Sequence, residues 1–210
     1  MSQTFHREPH PVLCSPLTDR AGSAEDKRAN MLVWQDAERR LWNDPTLTLD
    51  EGYFEQNFGR DEALIAERMH FIESPEGEVI ASTTAWYARA VESWRGVPFP
   101  GGGPPALGAQ DGDPKGTRGV IHNVGMKSEY AGRGLSKPLL TAVLLRLREL
   151  GHVDCHLNTS TGRLEAINLY VKFGFLPEAR TDEEYRAWRE LQPLLRERFV
   201  APFRSPSSRL

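Results

Sequence analysis

The spacing of apolar residues along this chain shifts from helical to alternating and back, and the shifts mark its elements. Between 24 and 43, Met31, Trp34, Ala37, Leu41 and Trp42 recur at three- and four-residue steps, which predicts one buried face of a helix. Pro45 ends it, having no N–H to continue the ladder. Thr48 followed by Glu51 has the form of a capping box and predicts a second, short helix carrying Tyr53, Phe54 and Phe58. Two β-prone runs, 70–73 and 79–87, then flank Ser-Pro-Glu-Gly at 74–77 and read as an antiparallel hairpin.

From 120 onward the order becomes β-α-β-α. A strand is expected over 120–127 and a helix over 135–150, with Leu139, Ala142, Val143, Leu147 and Leu150 on one face and Gly151 as its C-cap. A strand over 153–159 and a helix over 163–173, closed by Gly174, come next. The last helix, 182–198, sets Tyr185, Trp188, Leu191, Leu194 and Leu195 on one side. Two stretches lack a period. Residues 1–28 are mostly polar and read as an extended lead-in with one short strand around 12–17. Residues 97–119 are dense in Gly and Pro and read as a long loop, either a lid or a solvated insertion.

At 210 residues, with 39% hydrophobic residues, five Trp and nine Phe, the chain suits one folded domain. Its net charge of -3 gives no global field for nucleic acid or anionic lipid, so neither is expected as a partner. No run of about 18 apolar residues is present, and the N-terminus lacks the apolar core of a signal peptide, which predicts a cytoplasmic protein. Cys14 and Cys155 lack zinc or redox spacing; both are expected as free thiols, and no metal is expected.

The stretch Glu-Tyr-Ala-Gly-Arg-Gly-Leu-Ser-Lys-Pro-Leu-Leu, 129–140, joins a predicted strand directly to a predicted helix. Its glycines let backbone N–H groups approach an anion, and the helix adds unsatisfied amides and a positive dipole end. Pro138 fits the first turn, where its missing N–H has no partner to lose. A Walker loop needs a different spacing, and a dinucleotide fingerprint needs Gly where Lys137 stands. Taken alone, such a turn is more often a plain strand-to-helix connection than a ligand loop.

The order strand, Gly-Arg-Gly turn, helix, strand, followed by Ala-Ile-Asn-Leu-Tyr-Val-Lys-Phe-Gly-Phe at 166–175, resembles the acetyl-CoA-binding core of the GNAT N-acetyltransferase superfamily. Gly134 falls on the central glycine of the family's pyrophosphate loop, and Ala166, Leu169, Tyr170, Gly174 and Phe175 match its second motif. Ala131 and Ser136 depart from the family's usual residues but are small, and Arg163 stands where Asn is frequent. The resemblance implies an α/β, single-domain fold with a mixed, mostly antiparallel sheet whose central strands splay apart between flanking helices. The resemblance covers roughly 120–178, the acetyl-CoA core, within an acetyltransferase domain expected over 29–200 between the lead-in at 1–28 and a tail over 201–210.

By the same likeness, Val124, Gly125 and Met126 meet the pantetheine arm of acetyl-CoA. The turn residues Ala131, Gly132, Arg133, Gly134, Leu135, Ser136 and Lys137 meet its phosphates, and Arg163, in place of the usual Asn contact to the cofactor, meets a phosphate instead. Tyr170 matches the family tyrosine near the thioester sulfur, and a phenol with a pKa of about 10 can protonate a departing thiolate. His122, on the strand entering the turn, is the candidate base, since an imidazole near pKa 6.5 can take the amine's proton at neutral pH, while Glu165 is a rival. The amide of Gly125 or Met126 is the candidate oxyanion donor. The expected reaction is acetyl transfer from acetyl-CoA to a primary amine of a small-molecule or amino-acid-like acceptor, by direct attack in a ternary complex. A protein N-terminus or lysine as acceptor and a non-catalytic acyl-CoA-binding module are the alternatives, and a homodimer is left open. Trp86, Tyr87 and the Trp34–Trp42 helix face either line an acceptor pocket or belong to the core.

Overall fold

A computed structural model describes residues 2–4, 24–58, 62–87, 118–179 and 181–199. The expected strand at 12–17, the Gly/Pro loop up to 117, Cys14 and the tail at 201–210 lie outside the described residues. The elements are β1 (Ser2–Thr4), α1 (Ala24–Trp42), α2 (Glu51–Phe58), α3 (Glu62–Arg68), β2 (Met69–Glu73), β3 (Val79–Tyr87), β4 (Arg118–Met126), α4 (Ser136–Glu149), β5 (Asp154–His156), α5 (Leu164–Lys172) and α6 (Asp182–Leu191). The sheet runs β1-β5-β4-β3-β2, with β4 parallel to β5 and every other neighbouring pair antiparallel.

Two clusters of buried side chains sit on the sheet. One holds Val33, Phe54, Phe58, Ile65, Phe71 and Trp86, under α1 and α2. The other joins Ile121 and Leu157 to Leu140, Val143 and Leu147 of α4 and to Ile167 and Tyr170 of α5. Each buried aliphatic side chain in these clusters contributes roughly 1.5 to 3 kcal/mol against exposure. Arg68, fully buried at the end of α3, donates from Nη1 to the Ala85 carbonyl at 3.1 Å and lies 3.3 Å from His152 Nε2. Those contacts offset its desolvation and tie α3 to β3 and to the turn after α4.

Two features of β4 set the geometry between α1 and α4. Its parallel pairing with β5 covers only residues 118–120 against 154–156, after which β4 continues to Met126 and the strands part. A bulge opposite Thr83 then changes the phase of the strand: Thr84 faces His122 and Ser82 faces Gly125, with Asn123 at φ 51 between them. Asn tolerates that left-handed conformation better than most residues. Through the shift Val124 packs toward α4 while Gly125 turns toward α1.

Several expected boundaries move. Asp50, not Thr48, caps α2, its Oδ1 accepting the Tyr53 N–H at 2.9 Å, because it stands directly before the first helical residue. A side-chain N-cap is present at the start of α6, where Thr181 Oγ1 accepts from the Glu184 N–H at 3.2 Å. That helix ends at Leu191 rather than 198, since Pro193 holds the chain in a 3-10 turn over Gln192–Leu194. The strand expected over 153–159 pairs only over Asp154–His156, and β4 begins at Arg118, inside the span expected as loop. Helix α3 and strand β1 are not anticipated by the hydrophobic pattern, being short and weakly periodic. Cys155 is free and buried, with its thiol pushed up by desolvation.

Candidate active site

After β4 the chain makes a short 3-10 turn over Ser128–Tyr130, anchored to α1 by Asp36, whose Oδ2 accepts both the N–H and the hydroxyl of Ser128 at 2.6 Å. Gly132 and Gly134 come next at φ 78 and 80, a region that L side chains rarely adopt. α4 starts without a side-chain cap. The Lys137 N–H donates to the Gly134 carbonyl at 3.3 Å and the Leu139 N–H to that of Leu135 at 3.3 Å, while the N–H groups of Gly132, Arg133, Gly134, Leu135 and Ser136 donate to no described residue. A run of such donors at the positive end of a 14-residue helix can act as a backbone cradle for an anion. The Arg133 side chain folds back on its own loop, 4.9 Å over the Tyr130 ring and 3.0 Å from the Glu129 carbonyl, and Lys137 is exposed.

Along β4, Val124, Gly125 and Met126 lie beyond the last residue paired with β5, so one backbone edge of this stretch has no strand partner among the described residues. Gly125 is the close point. A Cβ there would stand 3.1 Å from Val33 Cγ1 and 3.3 Å from Trp34 Cε3. His122 precedes the bulge, half-buried, with its ring 5.3 Å from that of Phe58 in an edge contact.

Tyr170 is buried on α5 with the α4 cluster, its ring 6.1 Å from Phe175. Burial pushes its phenol up to about 12, and the nearby Arg163 charge opposes part of that rise. Its hydroxyl makes no hydrogen bond to a described residue. Tyr170 thus packs in the α4 cluster, while His122 meets Phe58 of the α1–α2 cluster. Glu165, the rival base, faces outward, 78% exposed and paired with Arg196.

Arg163 sits directly before α5, seven residues ahead of Tyr170, and its charge acts on the Tyr170 phenol. Its guanidinium pairs with Glu38 and lies 5.2 Å over the Trp34 ring. Trp34 in turn donates to the Tyr53 hydroxyl, and Glu38 Oε2 accepts from Trp42 Nε1 at 2.6 Å. Burial raises the Tyr53 phenol, partly opposed by the Trp34 hydrogen bond. Glu38 and Tyr53 stand in one contact network with Trp34 and Arg163, and the sequence motifs do not single them out. The available signal is the i, i+4, i+8 stripe Trp34, Glu38, Trp42 on α1, which carries a carboxylate between two tryptophans. Trp86 is buried against Phe58 as part of the core, and the side chain of Tyr87 lies outside the described residues.

Comparison with known proteins bears on the fold and the family. A stretch of 55 residues is 34% identical to N-acetyltransferase 8B of Rattus norvegicus, spanning 26% of this chain and 25% of that protein. The fold resembles an acetyltransferase of the GNAT family from Staphylococcus aureus, with 12% identity, a TM-score of 0.50 and coverage of 75% of this chain and 83% of that one. It also resembles the ribosomal-protein-alanine N-acetyltransferase of Brucella melitensis, with 18% identity, a TM-score of 0.50 and coverage of 76% and 85%. Residues 30–175, most of the chain, match the acetyltransferase (GNAT) family profile, and the chain belongs to that family.

Proposed function

We propose that the protein transfers an acetyl group from acetyl-CoA to a primary amine of a small-molecule or amino-acid-like acceptor, by direct attack in a ternary complex. The observation that carries this reading is the cradle of free amides from Gly132 to Ser136 beside a strand that has parted from its neighbour. Such a cradle suits a pyrophosphate, and the unpaired edge at Val124, Gly125 and Met126 suits an amide-bearing arm that completes the ladder. Arg133 and Lys137 add positive charge around the turn.

In this mechanism His122, on the α1–α2 side of β4, takes a proton from the acceptor's ammonium, directly or through a water, and the neutral amine so formed attacks the thioester carbonyl. The amide of Gly125 or Met126 donates to the carbonyl oxygen as negative charge develops there. Tyr170, on the α4 side, gives its proton to the sulfur as the carbon–sulfur bond breaks. A phenol raised to about 12 stays protonated throughout the physiological range, so the donor form is always present. The amide product keeps the acetyl group, and coenzyme A leaves as the thiol.

The test is thiol release from acetyl-CoA over a panel of primary amines, beside calorimetric titration of CoA. Saturable binding with amine-dependent release is expected. CoA binding without release on any amine would leave a binding module, and no CoA binding would remove the reading.

A further inference from the structure

We propose that Arg163 and Glu38 form a dipolar acceptor clamp, in which Arg163 receives a carboxylate of the acceptor and Glu38 faces its amino end. The acceptor is then an amino acid or a close analogue with amine and carboxylate in one small molecule. This rests on the acetyl-transfer reading and names its substrate class.

Arg163 has donors left over. A guanidinium carries five N–H groups in a rigid fork. That of Arg163 is 24% exposed and spends one edge on Glu38, while Nε and Nη1 donate to no described residue. Its plane is fixed from both ends: Trp34 lies against one face, and Trp34 is itself held by its hydrogen bond to Tyr53 and its contact with Gly125. Glu38 is fixed as well, 13% exposed, with one oxygen on Arg163 and the other on Trp42 Nε1. A preorganised fork with a free edge favours a planar, bidentate anion, and a carboxylate fits it.

Charge decides between ligands. A lone carboxylate at this place would meet Glu38 as well as Arg163, and a lone ammonium would meet Arg163 as well as Glu38. A molecule carrying both charges in antiparallel order satisfies the pair, and each half rejects an analogue that lacks the matching group. Position agrees: Trp34, which carries the guanidinium, stands against Gly125 in the part of β4 beyond its pairing with β5, and the Arg163 charge acts on Tyr170.

The experiment uses the full chain and the free amino acids beside their amides and decarboxylated amines. Two readouts are taken: turnover with acetyl-CoA, and calorimetric binding to the CoA-loaded protein. At least one amino acid is expected to exceed its own amide by about 10- to 100-fold in both affinity and kcat/KM. Arg163→Met should abolish that preference through KM, with CoA affinity retained, and Arg163→Lys should keep part of it as a point charge without the fork. Because Arg163→Met strands a half-buried carboxylate, Arg163→Met with Glu38→Gln serves as the folded control, checked by melting temperature. Amides and amino acids that bind and react equally would overturn the clamp while leaving acetyl transfer intact. So would a loss of CoA affinity in Arg163→Lys, which would assign the side chain to the cofactor. Carboxylate-dependent binding without turnover supports the clamp and overturns acetyl transfer instead.

Discussion

Two regions of this molecule are built on opposite principles. The turn over 131–136 is exposed and offers backbone: two glycines at positive φ and consecutive amides that donate to no described residue. The wall made by Trp34, Glu38, Tyr53 and Arg163 offers side chains from α1, α2 and the start of α5, each held by another. A backbone site survives changes of side chain and fails when the chain itself is blocked. A side-chain site fails one residue at a time.

The largest effect is expected where both regions meet the chemistry. Tyr170→Phe keeps the ring against Phe175 and should lower the single-turnover rate by about 10²- to 10⁴-fold while CoA affinity holds. In the wild type, burial raises this phenol, so the proton-donating form persists up to about pH 12. The rate should therefore climb as the amine deprotonates and level off without an alkaline fall below that range. A fully active Tyr170→Phe with a lowered Tm would make this tyrosine a packing residue only.

Next in size is Gly134→Glu, which puts a carboxylate and a strained φ into the amide cradle and should weaken CoA binding by at least about 10²-fold. An unchanged calorimetric affinity in the folded variant would move the phosphates elsewhere. His122→Ala should slow turnover by about 10- to 10²-fold at neutral pH and lose the acidic limb of the profile, because at higher pH the amine is neutral without help. A profile overlaying the wild type would place the base on another residue. The smallest change tests the contrast between the two regions most directly. Arg133 already rests on Tyr130 and the Glu129 carbonyl, so Arg133→Ala should cost less than about fivefold in CoA affinity, and less still at high salt. A loss as large as that of Gly134→Glu would show that the turn binds through side chains after all.

Features that depend on neighbours along the chain were legible in the residues alone. The period of Leu139, Val143 and Leu147 makes α4, Gly132 and Gly134 make the turn before it, and the match at 166–175 points to Tyr170. Local steric rules and helical spacing are written in consecutive residues. Features that join elements distant in sequence came only with the folded chain. Folding ended the β4–β5 pairing at Val120, turned Gly125 toward Trp34 through a bulge at Asn123, and sent Glu165 outward. It also brought Arg163 to Glu38 across 125 positions. No local pattern encodes such a contact, because an ion pair between distant residues leaves no period, and either charge read alone is an ordinary surface residue. Only the packing of α1 against the start of α5 gives the two charges one place to meet.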